Sequence, residues 1–131
     1  MRSKARECAF KVIFAGEFSD SEDVRRALYR ASELNKEERE YADLLCGLVK
    51  EHREELAAVL DKYSIGFSEK RIFPVDKSVL LIALAEIYYV EDVPPVVSID
   101  EAVGLVKKYS TEKSAGFVNG LLAAVIAGDE K

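Results

Sequence analysis

The longest apolar run in the chain extends from Pro74 to Val90, PVDKSVLLIALAEIYYV, where Glu86 is the only charged residue after Val79. A helix that is apolar on every side belongs in an interior. The run is shorter than the roughly 20 residues needed to cross a bilayer and fits a buried core helix. Pro74 suits the first helical position, where its missing N–H would have no partner anyway, and Asp76 suits the positive end of the helix dipole. A buried strand is the competing reading. Length, Leu and Ala content and the leading proline favour helix. One central helix requires others around it, and the polar and apolar pattern elsewhere predicts them.

Residues Ser3 to Phe18 predict a first helix with Ala5, Cys8, Ala9, Val12, Ile13 and Gly16 on its inward stripe. Phe10 and Phe14 fall outside that stripe, one turn apart, with Arg6 on one side and Lys4, Glu7, Lys11 and Glu17 on the other. Aromatic rings beside cations serve single-stranded nucleic acids through stacking and phosphate contact. The alternative is that a second layer of helices covers both rings. A second helix starts at a cap on Asp20 or Ser21 and runs to about Leu34, with Val24, Leu28 and Ala31 inward. Asn35 with Glu38 forms a capping-box pattern, and helical phase then continues to Ser64, with the polar run Lys50 to Glu55 marking a bend or break.

Ser64 to Phe73 reads as a connector containing Gly66. Beyond the central run, the Pro94–Pro95 pair predicts an extended segment, and Ser98 with Glu101 predicts a capping box ahead of a helix from Ala102 to Tyr109. The last helix spans about Ser114 to Ala127 and stops at Gly128, with Val118, Leu121, Leu122 and Val125 inward. Gly116, Gly120, Ala123 and Ala127 share a second, bare face, expected to pack within the chain.

At 131 residues the chain is the size of one domain, and 49% hydrophobic with 33% charged residues is globular composition. Met1 precedes a charged segment rather than an apolar signal sequence, which predicts a cytoplasmic protein. Cys8 and Cys46 sit at apolar helical positions and read as small buried hydrophobes. His52, the one histidine, has no ligand-spaced Cys or second His and reads as a partly buried structural residue. Net charge is −5, so any nucleic-acid site must be a local basic patch on an acidic body. No Gly-rich phosphate loop, nucleophile with a base, or metal-ligand spacing is present. The sequence therefore predicts a protein that is not an enzyme and needs no cofactor.

Four blocks point further: ARECA (Ala5 to Ala9), VDKSVLLIALAEI (Val75 to Ile87), DVPPVVSIDEAVGLVKKY (Asp92 to Tyr109) and FVNGLL (Phe117 to Leu122). In this order and spacing they make the chain resemble, nearly end to end, the NusB family of bacterial transcription antitermination factors. The resemblance implies an all-α fold of about six to seven helices in two packed subdomains. It implies binding to the single-stranded boxA element of rRNA leader transcripts, together with NusE, a small-subunit ribosomal protein, in an antitermination complex with RNA polymerase.

By the same resemblance Arg2, Lys4, Arg6, Tyr109, Lys113 and Phe117 would contact RNA, and Phe14 and Asp76 would contact NusE. Ser3 and Lys4 interrupt what is commonly an arginine run, and Lys113 stands where an acidic residue is often found. Phe10 stays open between RNA, NusE and the core. Two other readings stay in view: an RNA-binding domain detached from an rRNA cytosine methyltransferase, and a helical adaptor that binds only protein. No membrane role is expected, and monomer and homodimer both remain open.

Overall fold

The computed structural model describes residues 2–18, 21–64 and 71–129; the alternative cap at Asp20 and the connector around Gly66 lie outside them. The described residues form seven helices and no strand: α1 Arg2–Gly16, α2 Glu22–Ser32, α3 Lys36–Glu51, α4 Arg53–Tyr63, α5 Pro74–Tyr89, α6 Pro95–Tyr109 and α7 Glu112–Asp129. The fold is all-α. Helix α1 packs with α2 and α3, α5 packs with α6 and α7, and the two groups meet where α1 and α3 lie against α5.

Helix α5 is the central element that its composition predicts. Every residue from Ser78 to Glu86 is buried, with Leu80, Leu84 and Ala85 wholly out of solvent. Pro74 occupies the first turn, as expected. The Asn35–Glu38 capping box is present in both directions at 2.8 and 2.9 Å. Ser21 caps α2 by accepting from Val24 N–H at 3.4 Å. The break within Lys50–Glu55 falls at His52, which separates α3 from α4. The His52 ring stacks on Tyr89 at 3.9 Å and its Nδ1 lies 2.9 Å from Glu55. Both cysteines are free and buried, and burial pushes the Cys46 thiol up to about 11. No described helix is long and apolar enough to cross a membrane.

Three expectations are corrected, and one open question is settled. Helix α6 starts at Pro95, not after Ser98, because a proline at the first helical position sacrifices no hydrogen bond. Ser98 then lies inside the helix, where its hydroxyl donates to Glu86 at 2.6 Å instead of capping. On α2 the buried residue is Tyr29, while Ala31 and Val24 are exposed; Val24 and Leu28 border an open groove against α1. The position of Phe10, open among three surroundings from sequence, is in the core at 3% exposure, where α6 lays Tyr109 over it at a ring separation of 5.3 Å. Finally, Gly116, Gly120, Ala123 and Ala127 of α7 face solvent, and a Cβ added at either glycine would meet nothing within 4 Å.

Candidate nucleic-acid and partner interface

The first five residues of α1 send their cations in three directions. Arg2 forms two hydrogen bonds with Asp92, at 3.2 and 3.3 Å, and its guanidinium lies 4.2 Å from the centre of the Tyr41 ring. That ion pair is exposed and raises the Arg2 pKa; exposed pairs hold weakly, so a phosphate could take the place of Asp92. Lys4 reaches the other way and donates to the Glu33 carbonyl at the end of α2, at 3.2 Å.

Arg6 turns inward, and here the expected phosphate contact is corrected. It is 6% exposed; its Nε donates to both carboxylate oxygens of Glu86, at 2.8 and 3.0 Å, and Nη1 meets Glu101 at 3.2 Å. Tyr41 and Ser98 also donate to Glu86. Burial, followed by the bond to Glu86, pushes the Tyr41 phenol well up. A lone acid inside an all-apolar helix demands a buried cation. Glu86 was the sequence signal for that role, and Arg6 fills it.

Along α1 runs a column of rings. Tyr109 packs on Phe10, Phe10 lies 6.2 Å from Phe14, and Phe14 meets Phe18 edge-on at 5.1 Å. Tyr109 is half-buried, its hydroxyl donates to Glu7, and the ammonium groups of Lys11 and Lys108 lie 5.6 and 5.4 Å from its ring centre. Burial alone would raise Glu7, but the hydrogen bonds from Lys108 and Tyr109 hold it below the usual carboxylate range. Phe14 is half-buried, and Phe18 is 68% exposed. An aromatic surface thus begins at Phe14 and continues outward.

The remaining predicted residues meet in one cleft of about 290 Å³ between the start of α5 and the α6–α7 turn. Asp76, Lys113 and Phe117 line it together with Arg71, Ile72, Phe73, Thr111 and Ser114. Asp76 is 3% exposed, so it is not the solvent-facing carboxylate that its place at a helix start suggested. Its Oδ2 accepts from Ser114 at 2.6 Å, and its Oδ1 has no hydrogen-bond partner. Lys113 is exposed and Phe117 half-buried. Phe73, on the rim, is 67% exposed, and like Phe18 it went unread in the sequence because a single exposed ring leaves no periodic trace. Residues assigned separately to RNA and to a protein partner therefore share one wall. No cluster of metal-ligating side chains occurs among the described residues.

Comparison with known proteins fixes the class. The NusB family profile matches residues 3–127. A transcription antitermination protein NusB from Agathobacter rectalis is 41% identical over 93% of this chain and 96% of its own. The T. maritima NusB structure superposes with a TM-score of 0.87 at 32% identity, covering 97% of this chain and 91% of that one. A crystal structure of antitermination factors NusB and NusE in complex with dsRNA superposes with a TM-score of 0.88 at 28% identity, covering 97% and 96%. This all-helical chain belongs to the NusB family. Its membership places it among transcription antitermination proteins rather than enzymes.

Proposed function

We propose that residues 1–131 act as a single RNA-binding domain of a cytoplasmic transcription antitermination factor. It binds single-stranded boxA RNA of rRNA leader transcripts together with NusE, and within the antitermination complex it helps RNA polymerase read through terminators. The observation that carries the reading is the cleft in which Lys113 and Phe117 stand beside the half-satisfied Asp76. Lys113 offers a phosphate contact, Phe117 and Tyr109 offer ring faces, and Arg2 and Lys4 hold the strand near the start of α1. Asp76 and Phe14 take NusE. The neighbouring structure that joins NusB, NusE and RNA supports this pairing of ligands.

An acidic protein of net charge −5 binds RNA weakly alone and gains when a basic partner shares the strand. Filter binding with boxA RNA, a scrambled single strand and a duplex, each with and without NusE, tests the reading. Weak binding of boxA that tightens with NusE is expected. Lys113→Glu should weaken boxA and scrambled strands alike, since phosphates carry no sequence information. Preference for the duplex would remove the single-strand assignment. NusE binding with no RNA binding at all would leave a protein adaptor.

A further inference from the structure

A second basic surface lies where α2 meets α3, away from the cleft. A shallow groove of about 330 Å³ is lined by Arg25, Arg26, Arg30 and Arg39, with Tyr29, Glu22 and Asp43. The nearby carboxylates are already committed. Asp43 accepts from the Tyr29 hydroxyl at 2.6 Å and meets Arg25 at 3.4 Å; Glu22 lies 3.7 Å from Arg25, and Asp23 lies 2.5 Å from Arg26. Arg30 and Arg39 are exposed, and among the described residues neither has a carboxylate within ion-pair distance. The Arg39 guanidinium lies 5.4 Å from the Tyr29 ring centre and that of Arg25 lies 5.6 Å from it. Stacking of this kind fixes the planar fork in advance, so less freedom is lost when it grips a ligand.

We infer that this α2–α3 groove binds the phosphate backbone of an RNA strand that continues past Lys4, with Arg30 and Arg39 each holding a phosphate. The inference rests on the RNA-binding reading above and adds a second segment to its path. Lys4 supplies the continuity: it is bonded to the Glu33 carbonyl, and the Glu33 N–H bonds in turn to the Arg30 carbonyl. A strand held at Lys4 thus arrives within one helical turn of Arg30. Two free guanidinium forks match phosphate oxygens in geometry as well as charge. An acidic protein partner fits less well. Apart from the buried Tyr29 the lining is wholly charged, and protein interfaces need an apolar or aromatic anchor at their centre.

Anisotropy titrations with a strand limited to boxA and with one extended on both sides test the inference, using the parent, Arg30→Gln/Arg39→Gln and Lys113→Glu. The parent should bind the extended strand more tightly than the short one. The double variant should lose that gain and keep the affinity for the short strand. Its salt slope on the extended strand should become shallower by about 1.4, two phosphates at about 0.7 each. Arg30→Gln alone leaves the Arg39–Tyr29 stack in place and should show about half the change in slope, which guards against a folding defect in the double variant.

An unchanged affinity and slope on the extended strand would overturn the second segment while the reading above stands. An equal loss on both strands would also overturn it, since the arginines would then act only as a diffuse field. Failure of the parent to bind even the short strand, with Lys113→Glu indistinguishable from it, would bring down the RNA-binding reading and this inference with it.

Discussion

Helix α5 carries two buried carboxylates with opposite fates. Glu86, near its end, is 1% exposed and receives donors from Arg6, Tyr41 and Ser98, so that three helices besides its own are tied to one side chain. Asp76, in its first turn, is 3% exposed and receives one donor, from Ser114. A buried polar atom left without a partner costs roughly 1–3 kcal/mol, and a fully connected network rigidifies what it joins. Both acids are buried, and what distinguishes them is hydrogen-bonding capacity: Glu86 is saturated, whereas Asp76, which lines the cleft, keeps one acceptor unused.

The largest expected effect tests the saturated end. Arg6→Ala should destabilise the fold by about 3–5 kcal/mol in urea titration, because it strands a buried Glu86 charge. The double change Arg6→Met/Glu86→Leu should recover much of that loss, since apolar residues of similar size can replace a buried pair. A single-variant loss of under about 1 kcal/mol would mean that the pair is effectively solvated, as exposed pairs are, and the contrast with Asp76 would fall.

At the open end, Asp76→Asn should change stability by no more than about 1 kcal/mol, one ordinary hydrogen bond, yet weaken NusE binding by about 1.5–3 kcal/mol if Oδ1 accepts from a cationic or amide donor of the partner. Phe14→Ala serves as the companion probe of the same surface. Calorimetric titration with NusE reads both. An Asp76→Asn protein that binds NusE as the parent does would make the bare oxygen a local packing defect instead of a docking point.

A smaller effect is expected on the RNA side of the cleft. Phe117→Leu keeps most of the packing volume and removes the π face. Stacking contributes about 1–3 kcal/mol per base, so RNA affinity should fall by an amount in that range while thermal stability shifts little. Lowered stability with unchanged RNA affinity would assign the ring to the core, against which it already packs.

Much of this fold was readable in the sequence. An unbroken apolar run gave α5, the Asn35–Glu38 spacing gave the start of α3, and the Val118, Leu121, Leu122 and Val125 stripe gave the inner face of α7. What escaped depends on contacts between helices. A periodicity argument places Arg6 off the apolar stripe and hence outside, because it cannot see a carboxylate on another helix. The same blindness turned Ser98 into a cap when its hydroxyl is a donor to Glu86. The small face of α7 was expected to be covered, but smallness permits close packing without requiring it. For the site, residue types were legible and their grouping was not. Lys113 and Phe117 are close in sequence, but only the fold sets Asp76 beside them.

The smallest expected effect concerns Glu17, just past the end of α1. Lys77 lies 3.3 Å from it and Arg53 2.6 Å, joining the end of α1 to the starts of α4 and α5. Burial by itself would raise the Glu17 pKa, but the Arg53 hydrogen bond and the Lys77 charge outweigh it, and the folded value lies below the ordinary one. A carboxylate depressed in this way stabilises the fold above its unfolded pKa, about 4.3, and the contribution disappears as pH falls through the lower folded value. Glu17→Gln should therefore lower stability at neutral pH, by under about 1 kcal/mol for a pair this open to solvent, and flatten the acid limb of the stability profile. Thermal melts between neutral and strongly acid pH read both. If this variant also weakens NusE binding, the Glu17 cluster supports the surface around Phe14 as well as the fold. If NusE binding is unchanged, the cluster serves stability alone.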